Sequence, residues 1–227
     1  MDPIDQLVEK YGPAAVCEAL TAIVTPERIA RIDAILDQRL GSVVAVCEDT
    51  YDPHNAAAAI RTTEALGLQE MHVIESEARF SATQSVTRGA NKWIDLVRDE
   101  DAVTAVAALR ARGFRTLATL PDAPHDVEDA PVDAPIAVLF GNEHAGLSPA
   151  AIAACDGAVS VKMWGMTESF NLSVTVGLAM SRLATRRRAY LGVAGDLDPV
   201  RRQRLRARWF ALRVKGVAGV LERLVGK

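Results

Sequence analysis

At 227 residues, with 49% hydrophobic and 24% charged residues, the chain can bury a sizeable core, and disorder over its whole length is excluded. No apolar run is long enough to span a bilayer, the start MDPIDQLVEK has no signal-peptide pattern, and Cys17, Cys47 and Cys155 form neither a CxxC pair nor, with four histidines, a metal-ligand spacing, so a reduced cytoplasmic protein without membrane or metal is expected. The net charge of −3 hides an asymmetry: residues 182–227 hold 11 Arg and 2 Lys against Asp196, Asp198 and Glu222, a net of +10 on an otherwise acidic chain.

Two helical segments are predicted before Val43, the second opened by Thr25-Pro26-Glu27 as N-cap and first turn. Val43–Cys47 is a β-branched run that predicts a buried strand. Asp52-Pro53-His54-Asn55 is a turn, and Ala56–Leu66 a helix closed by Gly67. Met71–Ile74 predicts a second strand, Ala102–Arg112 a helix ended by Gly113, and Phe114–Thr119 a third strand. A loop rich in proline and acidic residues runs from Pro121 to Pro135. Ile136–Phe140 is another apolar strand, Ala158–Met163 a shorter one, and Ser169–Arg188 a long helix. A further helix follows Asp198-Pro199. Strands alternating with helices predict an α/β fold, a mostly parallel sheet with helices on both faces. The basic C-terminal stretch suits either a polyanion-binding surface or a solvated arginine-rich helix, and the two readings are evenly matched. Trp209 and Phe210 within it are expected to pack rather than to stack on bases.

Ligands of open α/β sheets sit beyond the carboxyl ends of the strands. Three loops at such positions carry unusual polar residues: Pro53-His54-Asn55, with Arg61 on the following helix; Gly141-Asn142-Glu143-His144-Ala145-Gly146; and Met163 to Asn171. The chain has no G-x-G-x-x-G after a strand, no phosphate loop ending in Lys-Ser/Thr, no G-x-S-x-G elbow and no paired carboxylates for glycoside chemistry. Taken singly, each residue has an ordinary use. Asn55 suits an Asx turn, Arg61 a helix surface, Glu143 an ion pair, Ser169 a helix N-cap, and Met163 and Met166 core packing.

Taken together they resemble a family. PHNAAAAIRTTEALGL is similar to the first motif of the TrmH-type SPOUT methyltransferases, an Asn six residues before an Arg, here Asn55 and Arg61. LFGNEHAGLS resembles the second motif, G-x-E-x-x-G, and VKMWGMTESFNLSV the third, with Met163, Gly165, Ser169, Asn171 and Ser173. Gly89-Ala90-Asn91-Lys92-Trp93 also resembles a family segment. The order and spacing match from about Thr25 to Tyr190.

The resemblance implies a sheet domain ending in a deep trefoil knot, over residues 41–190, flanked by an N-terminal helical extension (1–40) for RNA contact and a basic helical extension (191–227). It implies a homodimer that methylates a ribose 2′-OH of tRNA, with guanosine 18 of the D-loop as target, S-adenosylmethionine as cofactor and S-adenosylhomocysteine as product, and no role for DNA. By position, Thr119, Leu120, Gly141, Val161, Met163, Met166 and Phe170 hold the cofactor. Arg61, Asn55, Glu143, Ser169 and Asn171 form the catalytic set, with Ser169 donating to RNA or to Glu143, and Arg31, Arg186, Arg187 and Arg188 meet phosphates. Three residues depart from the third motif: Lys162 stands where Pro is usual, Phe170 where Leu is usual, and Trp164 is large for its place. An rRNA 2′-O-methyltransferase and an RNA-binding protein without methyltransferase activity remain the alternatives.

Overall fold

The structure, a computed structural model, describes residues 2–77, 79 and 87–226. It divides into two compact units, Leu40–Val193 and a helical unit of Met1–Arg39 with Ala194–Lys227.

Among the described residues the larger unit is built on six parallel strands: β1 (Val43–Glu48), β2 (Glu70–Ile74), β3 (Asp95–Asp99), β4 (Arg115–Thr119), β5 (Ile136–Phe140) and β6 (Gly157–Val159), in the order β3-β2-β1-β5-β4-β6. β1 and β5 are buried along their whole length, as the unbroken apolar runs Val43–Cys47 and Ile136–Phe140 predict, and Glu48 is buried at the end of β1. The pleat sends Val43, Ala45 and Cys47 to one face, against α4 (Pro53–Ala65) and the long helix between Leu172 and Leu191. Val44 and Val46 go to the other, against the helices Ala102–Ala111 and Pro149–Ala154. In chain order the helices after α4 are α5 (Ala102–Ala111), α6 (Pro149–Ala154) and α7 (Leu172–Leu191). The expected parallel sheet with helices on both faces is therefore what forms. The register places Cys47 opposite Phe140 and Ala118 opposite Leu139. The loops leaving β1, β4 and β5 thus emerge along one edge, which is where a site can be assembled.

Several expected boundaries shift. The long helix starts at Leu172 rather than Ser169, because Asn171 is its cap: the Asn171 side chain accepts from the Ser173 N–H at 2.9 Å. The last strand stops at Val159, and Ser160 leaves the sheet to pair with His125 and Val127 instead. β3 and α6 were not foreseen. β3 reads Asp-Leu-Val-Arg-Asp, an edge strand too polar to announce itself, and α6 has only 6 residues.

In the helical unit, α1 (Pro3–Tyr11), α2 (Pro13–Thr21) and α3 (Pro26–Leu36) stand where two segments were expected. Gly12, at φ 81°, and Pro13 break the first into two. They join α8 (Pro199–Ala211) and α9 (Val217–Leu224). Trp209 and Phe210 are buried in its core, as anticipated. The arginines of α8 are turned onto N-terminal acids: Arg206 grips Asp33 through two bonds of 2.6 and 3.0 Å, Arg202 meets Asp37 at 2.7 Å, and Arg204 and Arg208 approach Glu9 and Asp5. The unit as a whole carries 13 Lys and Arg against 10 Asp and Glu, so the basic stretch counted by itself overstates the local charge.

Candidate active site

A cavity of about 270 Å³ opens at the carboxyl ends of β4 and β5. Its size lies close to the lower end of the ~300–1,000 Å³ usual for small-ligand sites. Three stretches build it. Thr119, Leu120 and Pro121 leave β4; Phe140, Gly141, Asn142, Glu143 and Gly146 leave β5; Val161 and Met163 follow β6, and the wall is closed by residues 169–172 and Thr175 at the start of α7.

Each stretch is held by local chemistry. The Thr119 hydroxyl donates to the Leu139 carbonyl at 2.7 Å, locking the ends of β4 and β5 together. The loop after β5 folds back on itself: Asn142 N–H donates to the Gly146 carbonyl and Gly146 N–H to the Asn142 carbonyl, while the Asn142 side chain accepts from the N–H groups of His144 and Ala145. A Cβ at residue 141 would lie 2.0 Å from the Gly146 carbonyl carbon and 2.1 Å from the Leu147 nitrogen, so only glycine permits this closure. The far end of the loop is pinned by Glu48, whose carboxylate accepts from both the N–H and the hydroxyl of Ser148, the cap of α6.

At the cavity's polar side, three side chains from three separate segments form one chain of hydrogen bonds. The Asn171 amide donates to the Asn55 side-chain oxygen at 3.0 Å, and the Asn55 amide donates to Glu143 at 2.6 Å. Asn55 is buried in the first turn of α4, whose cap is Asp52. The Asn171 oxygen is already taken by Ser173, so both amides have a single satisfying orientation. Burial first, and the Glu143 charge second, push the Cys47 thiol up to about 12, which leaves it neutral and unsuited to nucleophilic work. Among the described residues no cluster of His, Cys, Asp and Glu could hold a metal ion.

Most of the expected residues converge here. Thr119, Leu120, Gly141, Val161, Met163 and Phe170 all line the cavity, with Glu143, Ser169 and Asn171, and Asn55 is bonded to two of them. Met166 does not: it is fully exposed, one position beyond Gly165 in a loop that projects into solvent, and it lines no part of the cavity. Arg61 is not there either. Six residues after Asn55 it lies about 9 Å further along α4 and on a different face of the helix. It is exposed and lines a second groove, with Arg88 and Trp93. Arg187 requires correction as a phosphate contact. Only 6% exposed, it donates to the Ser42 hydroxyl at 3.0 Å and the Val132 carbonyl at 2.7 Å, so its charge is used inside the fold. Arg186 and Arg188 are half-buried and donate to the carbonyls of Val127 and Leu66, whereas Arg31 is exposed on α3. Pro121 and Thr175 were not anticipated, and Asn142 was singled out only as part of its loop, without a role. The Gly141-Asn142 pair was the available signal, a turn dipeptide directly after a strand.

The departures from the third motif now have a structural meaning. Lys162 uses the backbone N–H that a proline would lack, donating to Asp126 at 3.2 Å, so a hydrogen bond replaces the lost ring constraint. Phe170 forms part of the cavity wall, and Trp164 is 91% exposed and leaves the cavity clear.

A parallel sheet with this cavity beyond its strand ends defines an α/β protein that seats a small ligand between loops. Residues 42–181 match the SpoU rRNA Methylase family, and the chain belongs to that family. It is 34% identical over 185 residues to the tRNA (guanosine(18)-2′-O)-methyltransferase of Borreliella burgdorferi, covering 81% of this chain and 82% of that one. Among solved structures it is similar to the A. aeolicus TrmH/SpoU tRNA modifying enzyme, with a TM-score of 0.75, 23% identity, and 83% of this chain and 98% of that one covered. It is also similar to the SpoU methyltransferase AviRb from Streptomyces viridochromogenes in complex with AdoMet, with a TM-score of 0.58, 27% identity, and coverage of 67% and 62%. No described helix is long and apolar enough to cross a membrane.

Proposed function

We propose that this protein is a tRNA methyltransferase that transfers a methyl group from S-adenosylmethionine to the ribose 2′-OH of guanosine 18. The observation that carries the reading is the hydrogen-bonded chain Asn171–Asn55–Glu143 beside a cavity at the strand ends. It joins all three motifs of the resemblance, which lie far apart in sequence, at one place. Family membership and the relative from Borreliella burgdorferi supply the reaction.

The lining fits the cofactor. Leu120, Val161, Met163 and Phe170 offer apolar surface to an adenine, and the loop backbones at Gly141 and around Thr119 offer polar groups to a ribose and an amino acid. S-adenosylmethionine supplies a methyl group already activated on a sulfonium. The protein has to hold the ribose hydroxyl in line with it and ease loss of the proton. Positioning of this kind supplies up to ~7–11 kcal/mol in ideal cases. Arg61 remains the residue assigned to the hydroxyl. A guanidinium does not give up its proton near neutral pH, so its role is to stabilise the developing alkoxide as a fixed cation rather than to act as base. Asn55, Glu143 and Asn171 hold the loop geometry, and Ser169, which lines the cavity, is assigned a hydrogen bond to RNA or to Glu143.

The placement of Arg61 outside the cofactor cavity of its own chain supports a homodimer in which one protomer's Arg61 serves its partner's cavity. Exposed Trp164, Met166 and Val174 near that cavity are suited to burial in such an interface. The pairing of Ser160 with His125 and Val127, and of Arg186 with the Val127 carbonyl, supports the knot, because the chain after β6 runs against the 125–127 loop before α7 returns beside it. The terminal helical extensions, with exposed Arg31, and the partly exposed Arg186 and Arg188, are proposed to contact tRNA. Three unpaired thiols suit the reducing cytoplasm.

Nucleoside mass spectrometry of total tRNA incubated with the protein and labelled S-adenosylmethionine tests the reading. The label is expected in 2′-O-methylguanosine, mapping to position 18. Label confined to added rRNA would move the substrate to the ribosome. No label, together with no S-adenosylhomocysteine binding by calorimetry, would leave an RNA-binding protein.

A further inference from the structure

Arg61 has company. It lines a groove of about 500 Å³ between α4 and the turn at residues 87–93, with Arg88 and Trp93 in its walls. Among the described residues that line it Glu64 is the one carboxylate, against two guanidiniums, which makes this lining net positive. Arg61 comes from α4, whereas Arg88 and Trp93 come from a turn of unusual backbone. Arg88 sits at φ 47° and Gly89 at φ 81°, after which Lys92 N–H donates to the Gly89 carbonyl and Trp93 N–H to the Ala90 carbonyl in a short 3₁₀ turn. Glycine or asparagine would occupy the left-handed position of residue 88 with less strain; an arginine there holds its guanidinium out beside the groove at some cost in backbone energy.

We propose that Arg88 and Trp93 form an RNA subsite next to Arg61, taking the phosphate and the base that flank the reacting ribose. This rests on the assignment of Arg61 to the ribose hydroxyl. A ribose within RNA carries a phosphodiester on either side, so whatever lies beside Arg61 must meet phosphate. A guanidinium fork matches two phosphate oxygens at once. The half-buried indole of Trp93 offers a face on which a neighbouring base can stack, whatever its identity. Arg88 and Trp93 are therefore positioning residues for the substrate, without a part in the methyl transfer itself.

The test titrates an unmodified tRNA transcript with the full-length protein over a range of salt, and reads S-adenosylhomocysteine affinity separately by calorimetry. Arg88→Asn, which tolerates the left-handed backbone, is expected to weaken tRNA binding about tenfold and to lower the slope of log affinity against log salt by about 1, with cofactor-product affinity retained. Arg88→Lys restores the slope and only part of the affinity, because an ammonium lacks the fork. Trp93→Ala weakens binding about tenfold and Trp93→Phe recovers most of it. Wild-type affinity and slope in Arg88→Asn, or wild-type affinity in Trp93→Ala, overturns the subsite. If Arg88→Asn also loses S-adenosylhomocysteine, the fold is damaged, and the comparison of Trp93→Ala with Trp93→Phe decides. These readouts are binding constants and stand whether or not the wild-type protein methylates guanosine 18, so failure of the proposed reaction is seen separately.

Discussion

Asn55 and Glu143 lie 88 residues apart in the chain, and their side chains meet at 2.6 Å. This bond ties the first turn of α4 to the loop that follows β5, and Asn171 extends it to the start of α7. Asn55→Ala therefore leaves a carboxylate and an amide without their partner. Glu143 and Asn171 are exposed and can turn to water, so a loss of about 0.5–1.5 kcal/mol in stability is expected, the net worth of an ordinary hydrogen bond. Methyl transfer should fall further than that figure implies, because Glu143 and Asn171 are released together. Thermal denaturation alongside single-turnover transfer checks both, and an unchanged melting temperature would mean that the three side chains are not coupled. Asn55→Asp should be worse than Asn55→Ala, since it sets a second negative charge against Glu143.

Gly141→Ala makes a sharper test of the cavity. The added methyl would fall 2.0 Å from backbone in the 146–147 segment, which cannot yield without opening the loop. S-adenosylhomocysteine affinity is expected to drop about a hundredfold or more, the effect of moving a ligand's backbone partners out of reach. Far-UV circular dichroism should change little. Calorimetry that returned wild-type affinity would show that this loop does not hold the cofactor.

Much of this was legible in advance, and the failures share a cause. Val43–Cys47 and Ile136–Phe140 announce buried parallel strands because every residue is apolar, and Asp198-Pro199 announces a helix start because cap and first turn are local. β3 was silent because an edge strand of Asp-Leu-Val-Arg-Asp satisfies its polar ends by tertiary neighbours. Arg187 is expected to meet phosphate, and the α8 arginines suit a polyanion surface as well as a solvated helix, because a run of charges in sequence says nothing about which groups lie across from it. Only the fold reveals that Ser42 and the Val132 carbonyl take Arg187, and that Asp33 and Asp37 take Arg206 and Arg202. Met166 matched a motif position, yet its side chain follows the loop outward; a motif fixes residue type and leaves side-chain direction to the backbone.

Asp33→Asn follows from that pairing. Arg206 loses a two-point, partly buried bond and Arg202 a neighbouring charge, so the helical unit should lose roughly 1.5–3 kcal/mol. The freed guanidiniums should also steepen the salt dependence of tRNA binding. Truncation before Pro199 is a poorer test, because it removes Leu205, Trp209 and Phe210 from the core of the same unit. Hydrogen exchange at α2 and α8 reads the stability change, and wild-type protection there would show that the pair contributes nothing measurable.

His72 makes stability depend on pH. It is buried on β2, with Asp99 at 2.7 Å on one ring nitrogen and Glu70 at 2.9 Å on the other, and Glu70 is gripped in turn by Arg112. Burial lowers its pKa, but the bonds and charges of Asp99 and Glu70 outweigh that and raise it above the ordinary 6.5. A raised folded-state value means that the imidazolium stabilises the fold fully below the unfolded pKa of about 6.5, and that this contribution is lost as pH rises through the folded value. Melting temperature should therefore fall on the alkaline side of about pH 6.5. The difference between wild type and His72→Gln should shrink over the same window; a difference that grows with pH would reverse the sign of the linkage.

Arg61→Ala separates cofactor binding from chemistry. Arg61 lines the groove shared with Arg88 and Trp93 and no part of the cavity at the strand ends, so its loss should leave S-adenosylhomocysteine affinity intact. Removal of a fixed cation from a developing oxyanion typically costs about 10²–10³ in turnover, and here the positioning of the ribose is lost as well. Turnover is expected to fall by at least that factor, with a much smaller change in tRNA affinity because Arg88 and the helical extensions keep their contacts. Arg61→Lys should recover little, since a single ammonium cannot reproduce the planar fork. Mixing Arg61→Ala protomers with protomers carrying Gly141→Ala then asks where the guanidinium acts. If each site draws its Arg61 from the partner, the mixed dimer has one site with both defects and one with neither, and activity returns to about half of the wild-type level per dimer, an expectation that assumes independent sites. If Arg61 served the cavity of its own chain, every site in the mixture would carry one defect and no activity would return.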